Sequence, residues 1–178
     1  MNEGVIPIHK KRGYATMIHH ISISAKNPQR VAEVLAEILQ GYALPFPPFP
    51  GAYIVIKDDG NGTAIEVAPE KMELVPGKTG QGVQPYINEN ASGYSATHAA
   101  VSVPTSEERI KEIATREGWR VETFEREDVF AVIELWVENQ KLIELLPPEL
   151  AKRYLNFATA KNFADVFGVE LPKGHNNN

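Results

Sequence analysis

The stretch "HISISA" at positions 20–25 decides the fold, because "HAAVSV" repeats its pattern at positions 98–103. A second pair keeps the same spacing: "IEVAPE" from position 65 and "IELLPPE" from position 143. His20 and His98 stand 78 positions apart, and so do Glu66 and Glu144. Self-similarity at a fixed offset signals one supersecondary unit used twice.

Working outward from each strand gives the unit. After "HISISA" comes "NPQRVAEVLAEILQG", a helix with Asn27 as N-cap, Pro28 in the first position and Gly41 as its stop. Val31, Val34, Leu35, Ile38 and Leu39 form its apolar stripe. The prolines of "YALPFPPFPG" allow only an irregular or edge segment, and "AYIVIKDDGNGTAIEVAP" reads as two strands around a turn. After a Gly- and Pro-bearing connection over 69–95 the pattern restarts. "ATHAAVSVP" is a strand, "TSEERIKEIATREG" a helix with a Thr105–Glu108 capping box and a Gly118 stop, and three further strands follow. The reading is α+β, two tandem βαβββ modules over about 17–70 and 95–147. An extension precedes them over 1–16, an amphipathic helix follows over about 148–168, and 169–178 is a polar tail.

Composition bounds the function. A chain of 178 residues, 43% hydrophobic and 23% charged, has the balance of a soluble globular protein. Its net charge of −5 argues against a nucleic-acid backbone as partner. No apolar run reaches the roughly 20 residues that span a bilayer, and the N-terminus lacks the order of a secretory signal. A cytoplasmic location is the default expectation. With no cysteine, a metal site has to use His, Asp and Glu.

Period-2 geometry selects among the candidates. His19 and His20 point to opposite faces, and only His20 has a counterpart in the repeat. His20, Ser22 and Ser24 share one face; Ile21, Ile23 and Ala25 form the other, which packs against the helix. Glu66 lies between Ile65 and Val67, and Glu144 between Ile143 and Leu145, so both carboxylates face the helix-free side. A carboxylate among such strands is costly unless paired or bound to a cation. His20, Glu66, His98 and Glu144 thus form a symmetric two-His, two-Glu set of metal-ligand type. His19 reads as structural, His9 and His175 receive no role, and Trp119 and Trp136 read as core or interface residues.

With "HHISIS", "IEVAPE", "THAAVSVP" and "LIELLPPE" in these places, residues 17–147 resemble the vicinal oxygen chelate superfamily, which includes glyoxalase I, methylmalonyl-CoA epimerase, extradiol dioxygenases and bleomycin-binding proteins. The resemblance implies a cupped, incomplete mixed β-barrel with helices outside and one divalent metal inside, Zn, Ni, Co, Mn or Fe(II). It implies metal ligands at His20, Glu66, His98 and Glu144, with Glu144 first and Glu66 second as the catalytic base. The function it implies is a metal-dependent isomerase or lyase acting on a small α-oxygenated carbonyl compound. The alternatives are a non-catalytic small-molecule binding or resistance protein and an Fe(II) ring-cleaving dioxygenase. Lys57, Arg120 and Arg126 are candidate substrate-binding cations by strand location. A homodimer is compatible with the pattern, since some relatives build each site from halves of two chains.

Overall fold

A computed structural model of the chain describes residues 18–79, 81 and 83–170. The N-terminal extension and most of the polar tail, with His9 and His175, lie outside the described residues. The first module comprises β1 (His20–Ala25), α1 (Pro28–Leu39), β2 (Tyr42–Pro45), β3 (Tyr53–Ile56) and β4 (Ala64–Pro69). A hairpin of β5 (Met72–Val75) and β6 (Gln84–Ile87) follows. The second module comprises β7 (Ala99–Ser102), α2 (Glu107–Glu117), β8 (Arg120–Arg126), β9 (Phe130–Val137) and β10 (Lys141–Leu146). Two helices end the described chain, α3 (Pro148–Phe157) and α4 (Ala160–Phe167). Among the described residues no helix is long and apolar enough to cross a membrane.

The duplication is visible in hydrogen-bond register. The sheets have the orders β1-β4-β3-β2 and β7-β10-β9-β8, each with one parallel and two antiparallel pairings. Ile21 pairs with Ile65 and Ser22 with Glu66; in the second module Ala99 pairs with Ile143 and Ala100 with Glu144. The offset of 78 read from the sequence is therefore also the offset of the parallel ladders. The α+β class and the paired βαβββ modules stand as expected, with the two mixed sheets not closed into a barrel.

One apolar core underlies both sheets. Leu35 and Ile38 of α1, Ile110 and Ile113 of α2, Val55 and Val67 of the first sheet, and Ile133, Leu135 and Leu145 of the second belong to it. A polar seam runs over this core between α1 and α2. Arg109 and Arg116 reach the two oxygens of Glu37 at 2.7 and 2.8 Å. Arg30 grips Glu117 in a two-point contact. Hydrogen bonding from Arg116, opposed by partial desolvation, holds the Glu37 carboxyl below the usual carboxylate range. Arg30 does the same for Glu117. Beneath these pairs the buried Thr105 hydroxyl donates to the Ile38 carbonyl at 2.6 Å. At the far end of β1, Glu138 accepts from the Lys26 and Asn27 amides at 2.5 and 2.9 Å, tying the β9–β10 turn to the entry of α1.

Several local expectations need correction. Asn27 does cap α1, accepting from the Arg30 amide, but the helix ends on Gln40 in the left-handed conformation, not on Gly41. Gly41 is needed for another reason: a Cβ there would sit 2.5 Å from the Ile56 carbonyl oxygen. The cap of α2 is Ser106, which accepts from Arg109; Thr105 is spent on the seam, so there is no Thr105–Glu108 box. Residues 42–45 form an edge strand, as their prolines allow, whereas the 69–95 connection carries a hairpin, β5–β6. The single C-terminal helix is two, broken where Thr159 caps α4 by accepting from the Asn162 amide.

Candidate functional site

Each sheet covers one face with the shared core and turns the other away from α1 and α2. On the first sheet that open face carries His20 and Ser22 from β1 and Glu66 from β4. His20 Nε2 lies 3.9 Å from Glu66 Oε1, and the Ser22 hydroxyl donates to Glu66 Oε2 at 2.7 Å. The Glu66 side chain is mostly buried, 17% exposed, whereas His20 is 58% exposed. The arrangement is a fixed carboxylate beside an accessible imidazole, two donors suited to a divalent ion of the first transition row.

The second sheet arranges its equivalents differently. Ala100 occupies the position of Ser22 and offers Glu144 no hydroxyl. Glu134 of β9 stands opposite Glu144, where the first sheet has Ile54 opposite Glu66. Glu122 of β8 stands opposite Glu134, so three carboxylates form a row across three strands. Such a row is unfavourable unless cations divide it. Arg126 does this, donating from Nη2 to Glu134 at 2.6 Å and to Glu144 at 3.4 Å, and Arg120 pairs with Glu122. The Glu134 hydrogen bond raises the Arg126 guanidinium further above its ordinary value. Trp136 Nε1 donates to the other Glu134 oxygen at 3.3 Å.

His98 precedes the first residue of β7, is exposed, and its Nδ1–H donates to the Ala96 carbonyl at 3.1 Å. The structure thus brings His20 to Glu66 and leaves His98 and Glu144 on the other sheet. Among the described residues no three His, Asp or Glu side chains converge where they could hold a metal ion. Half of a ligand set fits such an ion within one chain, and a complete one does not.

The remaining candidates find other roles. His19 Nδ1–H donates to the Asn61 carbonyl at 2.6 Å, pinning the β3–β4 turn, as a structural histidine should. Lys57 donates to the Gln40 carbonyl at the end of α1, and Trp119 is buried in the core. Lys141 was not foreseen: it lies beside Ser22 and Ser24 in a small cleft, where burial pushes its ammonium pKa down. A larger cavity of about 740 Å³ also went unforeseen, between the open face of the second sheet and the α3–α4 pair. Arg126, Glu144 and a group of phenylalanines line it.

No protein-family model matches the sequence, and no curated protein matches it. Solved structures do resemble the fold. FosX, a fosfomycin resistance protein of Listeria monocytogenes complexed with Mn(II) and sulfate ion, is 11% identical with a TM-score of 0.51, covering 82% of this chain and 99% of that one. A variant of the same protein complexed with Mn(II) and 1S,2S-dihydroxypropylphosphonic acid is 13% identical, also at 0.51, over 81% and 99%. A glyoxylase/bleomycin resistance protein/dioxygenase domain from Frankia sp. EAN1pec is 11% identical over 74% and 97%, at 0.47. Together with the repeated register of the two modules, the likeness to FosX assigns this chain the vicinal oxygen chelate fold.

Proposed function

We propose that the chain is a glyoxalase-like protein, a divalent-metal-dependent isomerase or lyase acting on a small α-oxygenated carbonyl compound. The observation that carries this reading is the His20–Glu66 pair on an open sheet face, with Ser22 fixing the carboxylate. A mostly buried glutamate beside an imidazole, with no ion pair to a lysine or arginine among the described residues, is a donor pair for a cation. Mn(II) in the FosX complex supports the choice of a divalent ion. Such an ion polarises a substrate carbonyl and stabilises the oxyanion formed when the adjacent carbon loses its proton.

His98 and Glu144 sit on the second sheet, so the proposal draws the full set from two copies: His20 and Glu66 of one, His98 and Glu144 of the other. Within that set Ser22 holds Glu66 in its binding rotamer. Arg126 donates to Glu144 Oε1, which leaves Oε2 as the oxygen to accept the substrate proton. Exposed Tyr42 and Leu44 lie with Ile54 and Ile56 on the open face of the first sheet, an apolar strip that a second copy would cover.

Mn(II) titration of chelator-treated protein, read by electron paramagnetic resonance, tests the site. His20→Ala and Glu66→Gln should each weaken binding at least about tenfold. Mixing His20→Ala with Glu144→Gln protein should restore tight binding, because a mixed dimer rebuilds one intact site. Failure of the unmodified protein to bind Mn(II) refutes the metal reading, and failure of the mixture to recover refutes the two-copy site.

A second reading has one observation in its favour. Arg126 already supplies the positive charge beside Glu144 and Glu134, as suits a non-catalytic small-molecule binding protein. That reading requires ligand affinity indifferent to chelator and no turnover of any carbonyl substrate.

A further inference from the structure

We propose that the cavity beneath α3 and α4 is a binding site for an organic cation with an aromatic or apolar body. This goes beyond the metal-dependent reading, with which it shares one residue, Glu144, so the organic cation is titrated with metal removed as well as without chelator.

The cavity's size comes first. At about 740 Å³ it falls in the range of pockets that take drug-sized molecules. Its floor is the open face of β8, β9 and β10, and its roof is the helix pair that ends the described chain. α3 lies close against β9, where Phe130 meets Tyr154 edge-on at 5.2 Å and Phe157 at 4.9 Å. Phe163 and Phe167 extend the cluster from α4, with centroids 4.7 Å apart. These two rings remain 49% and 48% exposed, although they belong to a cluster that buries Phe157. Rings added only to complete a core would be covered. These two line the cavity.

The charge decides the ligand class. Among the described residues that line the cavity Arg126 is the one cation, against Glu125, Glu127 and Glu144. Arg153 matches Glu125 with two hydrogen bonds of 2.7 and 2.9 Å. Arg126 is already divided between Glu134 and Glu144, and its contact with Glu144 is the longer at 3.4 Å. Glu144, 16% exposed, and Glu127 therefore leave the chamber net negative. A carboxylate beside aromatic walls favours a cation, because ring faces carry negative potential and because a half-buried carboxylate is costly without a counter-charge. An anion would meet this excess of carboxylates. A neutral molecule would leave it uncompensated.

The test uses calorimetry with benzyltrimethylammonium, its neutral isostere 2,2-dimethylpropylbenzene and the anion phenylmethanesulfonate, on the full chain with and without chelator. With chelator present the cation should bind at least about tenfold more tightly than either comparison compound. The double variant Phe163→Leu/Phe167→Leu keeps apolar bulk on α4 and removes two ring faces. It should lose about tenfold in cation affinity while its Mn(II) titration matches the unmodified protein. Glu127→Gln, on an exposed turn, should weaken the cation and leave the neutral isostere unchanged. Equal or tighter binding of the neutral or anionic compound overturns the proposal. So does undiminished cation binding in the α4 double variant, with circular dichroism confirming its fold. Cation binding without Mn(II) binding would refute the metal reading alone.

Discussion

Replacing Thr105 by Val should loosen the joint between the modules without changing its shape. Thr105 is 6% exposed, and its hydroxyl donates to Ile38 at 2.6 Å. Ile38 is in the last turn of α1, where carbonyls lack intrahelical partners. The amides of the C-terminal cap turn back to Ala36 and Glu37, so the Ile38 carbonyl depends on Thr105. Valine puts a methyl where the hydroxyl was, at nearly constant volume. The net loss of a hydrogen bond is about 1 kcal/mol, and leaving its buried acceptor unsatisfied brings the total to about 1–3 kcal/mol. For a domain of this size that lowers the melting temperature by roughly 2–12 °C. Urea unfolding followed by far-UV circular dichroism should show a lower midpoint with an unchanged slope. Thr105→Ser, which keeps the hydroxyl and loses one methyl, should cost only about 1 kcal/mol. A Val variant within about 0.5 kcal/mol of the unmodified protein, or a Ser variant less stable than Val, would refute the reasoning.

Other outcomes follow from the same geometry. Gly41→Ala forces a Cβ onto the Ile56 carbonyl and should destabilise by about 1–3 kcal/mol in chemical unfolding, whereas Gly60→Ala, strained only by its φ of 73°, should cost about 1 kcal/mol. Glu37 and Glu117 have folded-state pKa values below their ordinary value, so their contribution is complete above the unfolded pKa near 4.5 and is lost as pH falls through the folded values. A pH series of unfolding midpoints should therefore fall on the acid side, and fall less in Glu37→Gln. Ser22→Ala frees the Glu66 carboxylate and should weaken Mn(II) binding by about 10–100-fold with stability nearly unchanged, read by the same resonance titration. Glu138→Ala removes two amide contacts at the entry of α1 and should cost about 1–2 kcal/mol in urea unfolding.

The sequence announces the repeat because strand periodicity and helix stripes are local signals. Ile21, Ile23 and Ala25 turn inward as alternation requires, and the stripe from Val31 to Leu39 is buried throughout. The first half of the candidate site was legible for the same reason: Ser22 and Glu66 are one parallel rung, and His20 lies on the same face two residues earlier. The second half obeys the same spacing but different neighbours. Ala100 in place of Ser22, and Glu134 opposite Glu144, could have been noticed; that Arg126 would reach across to both carboxylates is a tertiary fact. Gln40 rather than Gly41 takes the left-handed position because Gly41 is needed one step later, where β3 comes close. Tyr154, Phe157 and Phe163 all belong to the stretch that reads as one amphipathic C-terminal helix. The break at Thr159, which folds Phe163 and Phe167 back over the same cluster, turns that face into a chamber.

The α1–α2 seam constrains how this molecule can move. Jaw-like closure of one half upon the other needs a yielding hinge between them. Here the halves share a continuous apolar interior and are cross-braced by two shared carboxylates and a buried hydroxyl. Opening or shutting would shear all of these at once. Among the described residues the two modules are therefore braced as one body, and their open faces are covered by elements outside this joint, such as the α3–α4 pair over the second sheet.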